Sequence, residues 1–294
     1  MTYGVPYKGS KNSIAEWVVE NLPPNETLVD LFAGGCAVTH AAMLSGKFER
    51  FIANDRLETP EIFLSAINGE FEGYTTVPTR EEFFETDDEA MKIMNSFGND
   101  RTTYLYGKEI EPIKTEAAKM IVGGSIYERK KAYSRFIKNL FAYLKEKDVK
   151  ERKVIELQNL EHLQRLQNLE GLQRLQNLEG LQSSGGQELL QILHLDYRRL
   201  EIPENSTIYA DPPYRGTNTK AYETDFDFES FDTWLAIVPF PVIVSEYTAP
   251  KGCVEIASKE KRVLSDSKNS ACKKLEKLFI QERFAEEYFE QMKG

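Results

Sequence analysis

Apolar residues at Ile14, Trp17, Val18 and Leu22 recur at helical spacing, and Pro23-Pro24 ends the run. The pattern then shortens. A strand is expected from Thr27 to Leu31, running into Phe32-Ala33-Gly34-Gly35 and a small-residue helix that begins near Cys36 and carries Val38, Ala41, Ala42, Met43 and Leu44. A second strand, Arg50 to Ala53, and a helix from about Thr59 to Asn68 follow. Strand, glycine turn, helix, strand, acid is the first half of a doubly wound nucleotide fold.

From Gly69 to about Asp148 the pattern is mixed, with Phe71, Tyr74, Val77, Phe83 and Phe84 scattered among acidic residues. Asn95 to Asn99 reads as a turn, and helices are expected over Ile113 to Val122 and Ile126 to Lys147. The sheet pauses here, as it would for an inserted module. It resumes with Leu189 to Leu195, which also fits a helix, then Thr207 to Ala210 and Phe240 to Ser245. The tail, with Leu275, Leu278, Phe279 and Phe284, supplies a further strand and short helix.

One stretch follows neither common period. Leucines recur every third residue from Leu157 to Leu181, inside a nine-residue Leu/Gln repeat at 157–183. An α-helix turns about 100° per residue, so this spacing walks the leucines around the cylinder and builds no stripe. A long α-helical coiled coil is not expected on that ground; a three-residue-per-turn structure, a small solenoid-like stack and a partly ordered stretch stay open. Gly185-Gly186 marks its end.

At 294 residues the chain can bury one large core, or one core and a smaller module. No run approaches the ~20 apolar residues of a membrane helix, and the N-terminus lacks the order of a secretory signal, so a cytoplasmic protein is expected. Cys36, Cys253 and Cys272 are isolated among three histidines, a pattern of a reducing interior with no metal site. The net charge of −10 opposes a partner held through phosphates, unless local fields dominate. Two cationic runs supply such fields. Arg129-Lys130-Lys131 through Lys153 is interleaved with Tyr127, Tyr133, Phe136, Phe141 and Tyr143, and Lys251 through Lys277 forms the second. The alternative is that both are solvated helix faces.

The chemistry concentrates at a few positions. Asp211-Pro212-Pro213-Tyr214 follows the apolar run Thr207 to Ala210, setting a carboxylate, two rigid carbonyls and a phenol ring at a strand's carboxyl end, where open α/β sheets bind ligands. The glycines at 34 and 35 let a ligand approach the backbone at a helix N-terminus; a tight packing turn is the alternative. They are neither the three-glycine dinucleotide fingerprint nor the lysine-bearing phosphate loop. Asp55, ending the second strand, is placed either for ribose hydroxyls or as the N-cap of the next helix.

Together these elements resemble the Dam-type (D12 class) DNA adenine-N6 methyltransferases over residues 1–68 and 189–250. Asp211 to Tyr214 matches the catalytic signature. Asp30 to Cys36 matches the cofactor loop Phe-x-Gly-x-Gly after an acid-Pro pair, with Leu31 for the proline and Cys36 for the last glycine, which puts loop geometry and cofactor affinity in question. Tyr7 to Lys11 is similar to the N-terminal element ending in Gly-Gly-Lys, and Asp196-Tyr197 to the pair beside the cofactor adenine. The resemblance implies an α/β fold: a Rossmann-like S-adenosylmethionine-dependent methyltransferase sheet (1–68 and 189–294) with an inserted, mainly helical target-recognition module (69–188).

It further implies Asp211, Pro212 and Tyr214 as catalytic residues, and Tyr7, Lys11, Asp30, Phe32, Gly34, Asp55, Asp196 and Tyr197 around S-adenosyl-L-methionine. The implied reaction is sequence-specific methylation of N6 of a flipped-out adenine in double-stranded DNA. The enzyme is expected to be a monomer, away from membranes, either solitary or beside a separately acting restriction endonuclease of a bacterial or phage system. The alternatives are an N-methyltransferase acting on RNA, cytosine N4 or protein glutamine, and a catalytically inactive nucleic-acid-binding module of the same fold.

Overall fold

The computed structural model describes residues 3–71, 78–122, 124–145, 186–215, 226–264 and 271–293. The leucine repeat and the segment from Gly216 to Tyr222 lie outside them. The chain divides into two compact units, one formed by 1–4, 9–64 and 181–294 and the other by 5–8 and 65–180.

The first unit is built on a seven-stranded sheet of order β3-β2-β1-β4-β5-β7-β6. Its strands are β1 (Thr27–Asp30), β2 (Arg50–Asn54), β3 (Leu190–Leu193), β4 (Ser206–Ala210), β5 (Val242–Glu246), β6 (Cys253–Leu264) and β7 (Ala271–Gln281). The first five run parallel, and β7 is antiparallel to both β5 and β6. This mixed α/β sheet is compatible with a methyltransferase fold. Every residue of β1 and β5 is buried, as expected for central parallel strands covered on both faces.

Helices α1 (Ala15–Glu20) and α2 (Ala37–Ser45) pack on each other and bury Val18, Val19, Ala41 and Ala42. A second core cluster joins Val29, Ile208, Val242 and Val244 of the strands to Tyr197, Phe231 and Leu235. Buried Gln281 ties β7 to the start of β5, its Oε1 accepting from Val242 N at 2.9 Å. The chain leaves β1 for β2 and β3, then returns to β4 on the other side of β1, with Asp30 in register with Tyr209. Such a reversal opens a crevice at the carboxyl ends of β1 and β4.

Helix α3 (Thr59–Ile67) leads to the second unit, which holds α4 (Arg80–Glu85), α5 (Glu89–Met94), α6 (Glu111–Val122) and α7 (Ile126–Lys145). Thr79 and Glu82 form a capping box on α4, the reason a helix starts inside a stretch of mixed pattern. Ile113 and Ala117 of α6 bury against Phe136 of α7. Phe83 packs with Tyr104 and Tyr106, and Arg80 bonds Glu111 at 2.8 Å while lying over the Tyr104 ring.

The structure corrects one expectation for the basic runs. Residues 253–264 and 271–281 form a long antiparallel strand pair, so the second run lies on a β-ribbon, not on a solvated helix face. Helix α8 (Phe228–Ile237), whose N-terminus Asp227 caps by accepting from Ser230 N, is not among the expected elements although Phe228, Phe231 and Leu235 fall at helical spacing, and α9 (Ala285–Gln291) is the short helix expected at the tail.

Candidate active site

The glycine turn leaves β1 at Asp30 and enters α2 at Ala37. Gly34 and Cys36 both have positive φ, +48° and +56°. Gly34 adopts it freely, whereas an L-residue in this region costs roughly 1–2 kcal/mol. Cys36 therefore sits at a position whose backbone suits glycine, and its fully buried side chain packs inside the turn. Gly4, at φ +65°, lies against this turn: a Cβ on it would meet Gly35 O at 2.2 Å and Ala37 N at 2.7 Å. Its N–H donates to His40 Nδ1 at 3.0 Å, and burial pushes His40 down to about 4, so the ring stays a neutral acceptor at neutral pH.

Asp30 is 2 % exposed. Its Oδ2 accepts from the Thr39 hydroxyl at 2.8 Å, and its Oδ1 is buried with no hydrogen-bond partner among the described residues. Burial, with smaller contributions from the nearby charges of Asp211 and Asp55, raises its pKa to about 7. Asp55 braces the turn, Oδ2 accepting from Gly34 N at 2.8 Å and Oδ1 from Leu57 N at 2.9 Å. It is thus not the N-cap of α3, which begins at Thr59. His194, which no sequence motif marks, reaches the Asp55 carbonyl at 3.0 Å and Glu61 at 3.1 Å.

Phe32 and Tyr197 meet at 5.5 Å between ring centroids, within an aromatic cluster that includes Phe226 and Phe231. Tyr197 is largely buried there. Asp196 caps the short turn that follows and receives Arg198 through Nε at 2.8 Å and Nη2 at 2.7 Å. These hydrogen bonds hold its carboxyl down to about 2.

At the end of β4, Asp211 Oδ2 accepts from Lys11 Nζ at 2.6 Å, both side chains being mostly buried. The same Nζ lies 4.6 Å from the centroid of the Tyr214 ring. The Tyr214 hydroxyl bonds Glu276 and lies 3.0 Å from Ser245 Oγ, and its ring meets Tyr247 edge-on. Pro212, next to Asp211 in the chain, is buried. Glu246, also buried, accepts from Arg215 N at 2.9 Å, and Arg215 pairs with Asp232.

The glycine turn, Asp30, Asp55, Lys11, Asp211 and Tyr214 all belong to the first unit, at the carboxyl ends of β1, β2 and β4 or on the segment leading to α1. Tyr7 belongs to the second unit, where the Arg101 guanidinium lies 5.7 Å from its ring centroid. Ser245 was visible as a strand end; Glu276 carried no signal, being one carboxylate among many lysines. Among the described residues, no three His, Cys, Asp or Glu side chains are grouped to hold a metal ion, and no helix is long and apolar enough to cross a membrane.

The model of the D12 class N6 adenine-specific DNA methyltransferase family matches residues 7–162, just over half of the chain. No curated protein matches it. The chain belongs to the D12 class of N6 adenine-specific DNA methyltransferases: it is an enzyme that methylates adenine in DNA, which sets aside the readings as an RNA, cytosine or glutamine methyltransferase and as an inactive binding module. The matched stretch contains Tyr7, Lys11, the glycine turn and Asp55, and ends before Asp211.

Proposed function

We propose that this D12-class enzyme draws its methyl group from S-adenosyl-L-methionine and delivers it, sequence-specifically, to a flipped-out adenine of double-stranded DNA at the crevice between β1 and β4. The observation that carries the reading is the Lys11–Asp211 pair, set beside Tyr214 on one strand end and the glycine turn on the next. The residues fit such a donor. Asp30 offers a buried oxygen, Oδ1, with no hydrogen-bond partner among the described residues, and Asp55 a carboxylate at the end of β2, both suited to a ligand with amine and hydroxyl donors and a sulfonium charge. When bound, S-adenosyl-L-methionine supplies an electrophilic methyl group. Asp30, Gly34 and Asp55 would hold it, with Phe32, Asp196 and Tyr197 at the adenine end and Lys11 at the methionine end.

Adenine N6 is a poor nucleophile because its lone pair is delocalised into the ring. Asp211 and the Pro212 carbonyl, accepting its two hydrogens, draw charge onto nitrogen and orient it, a contribution of positioning and fixed electrostatics. The nitrogen gains positive charge as its bond to the methyl carbon forms; the Asp211 carboxylate stabilises that charge until one of the two N6 protons is lost to solvent and the neutral methylated amine remains. No covalent enzyme intermediate is required. The base must leave the helix stack to reach these groups, at a few kcal/mol. Stacking on Tyr214 would return about 1–3 kcal/mol of that.

For the duplex itself, the second unit is the proposed target-recognition region, within an insertion assigned to 69–188. Helix α7 exposes Arg129, Lys130, Lys131 and Lys138 together with Tyr127, Tyr133 and Phe141, a surface suited to phosphates and bases. Such an enzyme would act as a monomer on intracellular DNA, alone or beside a separately acting restriction endonuclease. Methylation of a mixed-sequence duplex library by wild type and Asp211→Ala, mapped at base resolution, tests the reading. Wild type should mark N6 of adenine within one recognition sequence, and Asp211→Ala nothing. Equal turnover by the two proteins, or methyl groups spread over all adenines, would sink it.

A further inference from the structure

Glu276 lies on the face of β7 that also carries Leu278 and Ile280, and all three are almost fully buried. A carboxyl group there costs free energy that a leucine would not. Its hydrogen bonds go to two hydroxyls: it accepts from Tyr214 and, at 3.0 Å, from Ser245. Tyr214 follows β4, Ser245 is on β5 and Glu276 on β7, so one carboxyl group joins three chain segments at the corner that holds Asp211.

We propose that Glu276, supported by Ser245, is a positioning residue for methyl transfer, acting through the phenol of Tyr214. The inference rests on the assignment of Tyr214 to the base-binding site. A ring with a free hydroxyl can swing about χ1; bonding of the hydroxyl to Glu276 anchors the far end of the ring, and because a phenolic O–H lies in the ring plane the direction of the bond also favours one plane. Burial and then the negative charges of Asp211 and Glu276 hold the phenol well above its usual pKa, so it remains a donor. Donation to a carboxyl oxygen also moves electron density into the ring. That strengthens its attraction for cations such as Lys11 Nζ, which lies 4.6 Å from its centroid. The electron-rich ring is then suited to a base whose amine becomes positive as it is methylated.

Glu276→Leu, Glu276→Gln and Tyr214→Phe test the role through kcat and KM for duplex, equilibrium affinity for S-adenosyl-L-methionine, and thermal melting. Leucine removes a buried carboxyl but strands two hydroxyls, opposing effects that should keep melting within a few degrees of wild type; donor affinity should be unchanged and kcat should fall about 10- to 100-fold, the scale of a misplaced reacting group. Glutamine, which still accepts from the hydroxyl, should restore most of kcat. Wild-type kcat in Glu276→Leu, or a loss confined to melting or donor affinity, would overturn the role. Should the leucine variant not fold, Tyr214→Phe, which deletes only the hydroxyl, takes its place: unchanged kcat overturns the proposal and a fall supports it. Tyr214→Ala separates the levels. If it keeps full activity, the site assignment itself fails; if it is inactive while Glu276→Leu is not, only the role of Glu276 fails.

Discussion

Lys11 Nζ and Asp211 Oδ2 meet at 2.6 Å across a separation of 200 residues. The contact fastens the segment before α1 to the end of β4 and fixes where the carboxylate points.

Removing the lysine should therefore cost both stability and activity. Lys11→Met leaves the mostly buried Asp211 facing an apolar chain, a change that in buried pairs costs about 3–5 kcal/mol; residual exposure of Asp211 puts the expected loss near the lower end. Denaturant unfolding reads the stability and labelled-methyl transfer the activity, which should fall at least 100-fold on the proposed assignment of Asp211. A Lys11→Met enzyme with wild-type stability would show that the ion pair contributes nothing to the fold.

Asp30 sets a pH dependence of its own. Its folded pKa, about 7, stands above the ordinary value of 3.8, so between these the folded state binds the extra proton. Stability from this group is full below about pH 4, declines as pH rises through that window and is lost above about 7. Asp30→Asn keeps an oxygen for Thr39 and cannot ionise. Relative to wild type it should gain on the order of 2–4 kcal/mol at pH 8 and almost nothing at pH 4. Donor affinity should move the other way, about 10-fold weaker, through loss of a charged acceptor. Melting curves of both proteins from pH 4 to 8 check the sign; a difference that does not grow with pH refutes it.

How much of this was legible depended on range along the chain. The glycine turn after β1 and Asp211 to Tyr214 after β4 are local patterns, an apolar run followed by residues with special backbone or chemistry, and the sheet puts them on neighbouring strands. The Lys11–Asp211 pair and the link from Tyr214 to Glu276 depend on strand order, which no short window contains. Strand β6 was illegible for another reason. It pairs along one side only, and its lysines and glutamates erase the alternation that marks a half-buried strand. The substitution of Cys36 for glycine was visible, but its meaning came from the φ of +56°.

That angle makes Cys36 a test of backbone against packing. Cys36→Gly loses a small buried side chain and relieves the left-handed conformation, two terms of about 1 kcal/mol each with opposite sign. Its melting temperature should lie within a few degrees of wild type. Cys36→Val fills similar space with a β-branched residue that resists positive φ, and should lose about 2 kcal/mol or more. Equal melting of the glycine and valine variants would mean that side-chain volume, not backbone, governs the position.

Gly4 carries the same argument further, because both conformation and space oppose a side chain. An added Cβ would stand 2.2 Å from Gly35 O, a backbone atom that cannot rotate away, at a residue already at φ +65°. Gly4→Ala must push the N-terminal segment off the glycine turn and break the bond from Gly4 N to His40. The loss should exceed about 3 kcal/mol, adding steric displacement to the cost of an L-residue at positive φ. Local displacement is distinguishable from global collapse by hydrogen exchange: α2 amides near Ala37 should lose protection while those of β5 keep it. Uniform exchange across both elements would mean that the turn and the sheet unfold as one unit, and wild-type protection at both would show that the segment does not need to sit where the structure puts it.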